Sequence, residues 1–324
     1  MLRRSFMISA LAASAVLASG HAHADRSKWP QSLTLGTASV GGTYYIYGGG
    51  WANMVAEQIK VPINTQQTQG PVQNVILVET QKIELGMTTM GVALGAWNGT
   101  AQWTQGKQFR AIRAMFPMYD TPFHGLALKK SGIKSFKDLN DKTVGVGPKA
   151  GTPGTYYPLI FDALGIKATI RNGGASDMAG QLGDGLLDAF VFAGGVPIAA
   201  FSELEAKQDV QWLHFTSEEI ASLKKKIPEL SDSAIGKSVY TQLEKDYETL
   251  GLYNFAIAHE SMPEDLVYEI TKSVMDNHDR MMQIHAASAE TIPGNVTKNT
   301  FLPFHPGAVR YFKEKGIAIP ANLM

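Results

Sequence analysis

The stretch Leu33 to Tyr45, LTLGTASVGGTYY, constrains this chain more than any other. It reads as a short apolar strand, a loop of glycine and small hydroxyl residues, and the start of a helix. Such a loop gathers backbone N–H groups and Ser/Thr hydroxyls at a helix N-terminus, where they can hold an anion without a buried cation. The unit recurs at Lys142 to Thr155, KTVGVGPKAGTPGT. Two such loops, one in each half of the chain, predict a ligand held between two lobes.

The rest of the chain alternates strand-like and helix-like segments, the pattern of parallel β-α-β units. Leu33–Gly36, Val61–Gln66 and Glu84–Thr88 read as strands, with helices over Tyr44–Ile59 and Val72–Thr80 between them. Gln108–Phe116 and Phe123–Leu128 read as two strands flanking Pro117–Pro122, and the second lobe is expected to begin there. Within it, Ser135 and Asp138 have capping-box spacing, and Ser217 is expected to cap a helix over Glu218–Ile227. Ala234–Leu250 reads as helical and charged. Tyr253–Ala258 reads as a strand returning to the first lobe, and Pro263–His285 as the longest helix. The predicted fold class is α/β, two lobes around a central cleft, with lobe I over residues 25–120 plus 251–324 and lobe II over 121–250. Ligands of open α/β sheets bind beyond the carboxyl ends of the strands, where the glycine-rich loops lie.

The N-terminus has the form of an export signal: Leu2-Arg3-Arg4, an apolar Phe6–Leu17, and the small-x-small element Ala22-His23-Ala24. Cleavage after Ala24 and a periplasmic location are expected. Arg3-Arg4-Ser5-Phe6-Met7 also fits the twin-arginine export route, and the general and twin-arginine routes both stay open. The 324 residues carry 29 Lys and Arg against 29 Asp and Glu. Removing Arg3 and Arg4 with the signal leaves 27 against 29, a net of −2. That balance gives no basis for nucleic acid or an anionic membrane surface as partner. With no cysteine in the chain, there is no disulfide framework and no thiol chemistry.

The glycine-rich pieces, taken in order, resemble the TAXI branch (TRAP-associated extracytoplasmic immunogenic proteins) of the solute-binding receptors of TRAP transporters. The matching pieces are Leu35–Tyr45 (LGTASVGGTYY), Gln69–Asn74 (QGPVQN), Arg113–Tyr119 (RAMFPMY), Ser131–Leu139 (SGIKSFKDL), Val144–Thr152 (VGVGPKAGT), Val191–Pro197 (VFAGGVP) and His305–Phe312 (HPGAVRYF). The resemblance implies a type II periplasmic-binding-protein fold. It also implies a monomeric receptor that delivers a small organic acid, a glutamate-like amino acid or a dicarboxylate such as 2-oxoglutarate, to a membrane permease. A periplasmic sensor docking on a membrane signalling partner is the alternative. Two departures stand out: Lys149 replaces the usual plain Gly/Ser/Pro loop residue, and Ala234–Leu250 lacks the Tyr-Pro-Gly turn of relatives.

The expected ligand contacts follow. Thr37, Ser39 and Gly42 form the first loop, with Tyr45 able to close over the ligand. Gln69 and Asn74 sit at the second strand-to-helix junction. Tyr119 and His124 flank the interlobe crossing, each with packing as the other reading. Lys149, Thr152 and Thr155 come from the recurring loop, and Gly194 from the strand end at Phe192. Lys149 either faces the cleft as the cation for a second carboxylate or lies outward in solvent. No cofactor and no metal site is expected: His278 and His285 are two helical turns apart, and His259-Glu260 lacks a second histidine at zincin spacing. The Gly145-x-Gly147-x-x-x-Gly151 run is an imperfect dinucleotide fingerprint, with Arg171 and Asn172 where an acid belongs. No nucleophile–base set is evident, so the chain reads as a binding protein and not an enzyme.

Overall fold

The computed structural model describes residues 26–324; the expected signal segment and its cleavage point lie outside the described residues. In the first half, β1 (Leu33–Gly36) leads to α1 (Thr43–Ile59), β2 (Ile63–Gln66) to α2 (Pro71–Glu79), and β3 (Leu85–Thr89) to α3 (Met90–Asn98). A long strand, β4 (Ile112–Leu128), then carries the chain across. Beyond it come β5 (Thr143–Val146), α4 (Thr152–Leu164), β6 (Thr169–Asn172), α5 (Ala175–Gly183), β7 (Ala189–Ala193) and α6 (Ala199–Glu205). They are followed by β8 (Val210–Trp212), α7 (Ser217–Lys226) and β9 (Ser231–Ile235). A second long strand, β10 (Tyr247–His259), returns to the first half, which α8 (Glu264–Met275), α9 (His278–Ile284) and α10 (Pro306–Glu314) complete.

The strand order is β2-β1-β3-β10-β4-β7-β5-β6, with β8 on β4 and β9 on β10. β1 pairs in parallel with β2 and β3, and β5 with β6 and β7, so each lobe has a parallel β-α-β core. β4 and β10 are antiparallel to each other and run through both lobes. One apolar core extends through the molecule around Trp51, Phe116 and Tyr157. A second fills the other face of the lobe II sheet around Phe190, Phe201, Trp212 and Tyr240.

The long strands differ from the sequence expectation. Pro117 and Pro122 were expected to interrupt pairing, yet β4 is continuous through both. The proline nitrogens cannot donate, but antiparallel pairing asks for a donor toward a given neighbour only at alternate residues. The ladder also yields locally. Pairing steps from Tyr253–Asp120 to Phe255–Pro117, so Met118 and Tyr119 face the single residue Asn254. This is a β-bulge, which leaves backbone groups to be satisfied from outside the ladder. Thr291 Oγ1 donates to Met118 O at 2.9 Å, and Asn254 Nδ2 donates to Tyr119 O at 2.6 Å.

Three further expectations are corrected. Ala234–Leu250 is not helical; it is the end of β9, a run of turns and the start of β10, whose edges pair with each other. The helix expected over Pro263–His285 breaks at Asp276-Asn277, where α8 ends and α9 starts; the apolar stripe continues through Leu266, Ile270, Val274 and Met281 because both helices cover the same core. The cap of α7 is Thr216, not Ser217: Glu219 N–H donates to Thr216 Oγ1 and the Glu219 carboxylate accepts from Thr216 N–H. The Ser135–Asp138 capping box is present as expected.

His124 belongs to the second core. Its Nδ1–H donates to Pro122 O at 2.9 Å, which leaves Nε2 to accept from the Tyr240 hydroxyl at 3.0 Å. Burial pushes this imidazole from 6.5 down to about 4. Burial likewise lowers His305 to about 4. Both are folded as neutral rings, while the unfolded chain takes up a proton below about 6.5. Stability is therefore expected to be fully present near pH 7 and to fall as the pH drops from about 6.5 toward 4, by roughly 3 kcal/mol per histidine at the lower end. Urea unfolding at pH 7 and pH 4.5 measures this; equal midpoints would contradict the buried neutral state.

Candidate ligand-binding site

Three helices begin at one place. The N-caps of α1, α2 and α4 are Gly42, Gly70 and Gly151, and none of the three makes a side-chain capping hydrogen bond. The first turn of a helix leaves N–H groups without intrahelical partners, and the aligned peptide dipoles add partial positive charge there. Gly42, Thr43, Gly70, Gly151 and Thr152 all line one cavity between the lobes. None of the lining residues is Asp, Glu, Lys, Arg or His. Whatever favours an anion in this cavity is backbone and hydroxyl, not a charged side chain.

The lobes touch across the cleft by direct hydrogen bonds. The Val72 N–H of α2 donates to Ala150 O at 3.1 Å. From the other side, the loop after β1 supplies carbonyls to lobe II helices: Ser176 N–H donates to Val40 O at 3.3 Å and Ala200 N–H to Gly41 O at 3.1 Å. Ala175 N–H donates to Ser39 Oγ at 3.3 Å. The first turns of α5 and α6 are thus satisfied by the opposite lobe. Thr43 Oγ1 donates to Gly195 O, and His285 Nε2–H donates to Pro197 O at 3.1 Å. Gly70 has φ +114°, and a Cβ there would lie 3.1 Å from the Gly151 Cα. Glycine is required at Gly70 both for the backbone conformation and for this approach of the two loops.

The floor of the cavity lies at the β4–β10 crossing. Asn254 is completely buried, and its amide orientation is determined by its surroundings. The atom beside Tyr119 O must be the amide nitrogen, because a carbonyl only accepts. Nδ2 also donates to Thr121 Oγ1, and Oδ1 accepts from the Tyr44 hydroxyl at 2.6 Å. Tyr44, Thr121 and Asn254 all line the cavity. Burial, reinforced by the nearby Tyr47, holds the Tyr44 phenol well above its ordinary pKa, so it keeps its proton.

Of the residues expected from sequence, Ser39, Gly42, Gln69, Thr152 and Gly194 line this cavity. The others sit elsewhere. Thr37 lies beneath the first loop and donates its hydroxyl to Gln66 O at 3.0 Å. Asn74, fully buried, donates to Thr37 O and Met87 O and accepts from Thr68, so it braces the loop from below. Tyr45 is 43 % exposed on the outer side of α1, because one helical step from Tyr44 turns a side chain away by about 100°. Tyr119 packs edge-on against Tyr44 and Tyr47. His124 is in the lobe II core, as described above. Lys149 is exposed and, with Thr155, borders a neighbouring crevice that also includes Trp103 and Tyr156. Thr155 donates its hydroxyl to Gly151 O at 2.9 Å, within its own helix turn. Sequence reasoning missed Thr43, Tyr44, Thr121 and Asn254. For Asn254 a signal existed: it is one amide inside an otherwise apolar strand, YNFAIA.

A family model described as the NMT1-like family matches residues 35–316, and the chain belongs to that family. Among solved structures it is similar to MatC from Rhodopseudomonas palustris with bound malate, at 11 % identity and a TM-score of 0.57, covering 88 % of this chain and 96 % of that one. It is also similar to an R. palustris protein solved with adipate, at 17 % identity and a TM-score of 0.52, covering 76 % of this chain and 82 % of the other. A third is a putative L-cystine ABC transporter protein from Listeria monocytogenes, at 12 % identity and a TM-score of 0.51, covering 81 % and 96 %. At these identities the likeness shows the fold, the two-lobed type II periplasmic-binding-protein architecture.

Because Lys149 faces solvent outside the cavity, Lys149→Ala is expected to leave carboxylate affinity within about twofold of the parent, the range of a surface substitution. Calorimetric titration of both proteins with one carboxylate checks this; a tenfold loss would place the ammonium at the ligand.

Proposed function

We propose that this member of the NMT1-like family is a solute-binding receptor that captures a small carboxylate between its lobes and presents it to a membrane transporter. The observation that carries the reading is the convergence of three glycine-capped helix starts on one cavity without a charged side chain. Partial positive charge at helix N-termini suits an anionic group, and backbone N–H groups supply its hydrogen bonds. A receptor must also let its ligand go. Several hydrogen bonds without a full ion pair suit reversible capture and release.

The partner is a TRAP-type permease driven by an ion gradient, as the resemblance of the glycine-rich motifs implies. The protein works as an exported monomer in the periplasm, and among the described residues no helix is long and apolar enough to cross a membrane. Lobe I comprises residues 25–120 and 251–324, and lobe II residues 121–250. The Val40, Gly41 and Ser39 contacts to α5 and α6 belong to the closed form that the permease recognises; ligand binding shifts the population toward it.

A ligand that binds only the folded protein stabilises it by about 2.7 kcal/mol at a hundredfold excess over Kd. A thermal-shift screen of small mono- and dicarboxylates is therefore expected to raise Tm by about 5 °C for the best binders. No shift with any carboxylate would overturn the reading. With the ligand in hand, uptake into vesicles carrying the permease is expected to need this protein and an ion gradient but no ATP. Uptake that requires ATP would remove the TRAP assignment.

A further inference from the structure

Resting on the reading of the cavity as a carboxylate site, we infer that the ligand is a hydroxy-carboxylate, its hydroxyl group received at the β4–β10 crossing by Thr121 and Tyr44 and positioned there by Asn254. Tyr119 O fixes the Asn254 amide with nitrogen toward the bulge and oxygen toward Tyr44. Oδ1 carries no proton, so in this bond the phenol must donate, and the single Tyr44 proton is committed to Asn254. The phenol oxygen is left as an acceptor toward the cavity. Thr121 stands in the opposite state. Its Oγ1 accepts from Asn254 Nδ2, and its own proton has no acceptor among the described residues. One amide therefore imposes opposite polarities on its two neighbours: Tyr44 offers a lone pair and Thr121 offers a proton, both at the cavity floor.

A ligand group that meets both must accept and donate at once. An alcohol does. A keto oxygen accepts from Thr121 but sets its lone pairs against the Tyr44 oxygen. An unsubstituted methylene answers neither. An ammonium donates to Tyr44 but has nothing to accept the Thr121 proton, and no lining residue is an acid to balance its charge. Sites built to pair a substrate hydroxyl reject analogues that lack it, because buried groups are then left unpaired. Asn254 is a positioning residue: both hydrogens of its Nδ2 are already used, and it acts through the two side chains it orients.

The test is a matched set titrated by calorimetry into the full mature protein: 2-hydroxyglutarate, 2-oxoglutarate, glutarate and glutamate, with lactate, pyruvate, propionate and alanine as the shorter series. Each hydroxy acid is used as both enantiomers. In at least one series a hydroxy acid is expected to bind ten-fold or more tightly than its oxo, unsubstituted and amino counterparts. Equal affinity across the carboxylates, or preference for an oxo or amino compound, overturns the inference while the carboxylate reading stands. Binding by none of the eight compounds overturns both. Tyr44→Phe and Thr121→Val are expected to reduce the hydroxy-over-unsubstituted ratio toward one, and Thr121→Ser to keep it. The ratio is the readout because a packing defect weakens all members of a series together. Variants that keep the full ratio would also overturn the assignment.

Discussion

Peptide N–H groups at the start of a helix must find partners, and in this protein that requirement organises the cleft. Glycine at Gly42, Gly70 and Gly151 withholds the side-chain cap that serine, threonine or aspartate supplies elsewhere, as Thr216 does for α7. The helix starts are thereby left to face the cavity. The same requirement is met differently in α5 and α6. Their first turns accept no ligand, because carbonyls of the opposite lobe's loop occupy them. The first turns of α5 and α6 hold the lobes together, α2 does so as well through its Val72 N–H, and the starts of α1 and α4 face what lies between the lobes.

The two long strands supply the second constraint. β4 and β10 carry the chain between lobes as a paired ribbon, whose regular ladder would pair its backbone groups strand to strand. The bulge at Met118-Tyr119 breaks that register and frees two carbonyls. Side chains from different elements, Thr291 and Asn254, satisfy them. Asn254 thus has a structural duty to the bulge, and in meeting it becomes oriented toward Tyr44 and Thr121. Backbone repair and the polarity of the cavity floor share one amide.

Much of this was legible in the chain. The strand–loop–helix units at Leu33–Tyr45 and Lys142–Thr155 are local patterns, and both fold as strand, loop and helix start. Ser39, Gly42, Gln69, Thr152 and Gly194 line the cavity because they sit on such loops. Thr37 and Asn74 stand in the same motifs but face inward, and only the neighbouring strands show it: Thr37 meets Gln66 of β2, and Asn74 meets Met87 of β3. Pro117 and Pro122 read as breakers because proline lacks a donor, and sequence does not show which ladder positions need one. Ala234–Leu250 read as helical from its charge, while its strand ends are decided by pairing between residues more than ten positions apart.

The sequence by itself determined the alternation of strands and helices and the glycine-rich turns at strand ends, since each depends on residues within a few positions of one another. Only the tertiary structure decided which helix starts share a cavity, that Lys149 stays outside it, and which way each proton at the floor points. Those outcomes depend on a bulge, on an amide turned by a carbonyl from another strand, and on contacts between lobes. They arise from atoms far apart along the chain that folding brings within hydrogen-bond reach.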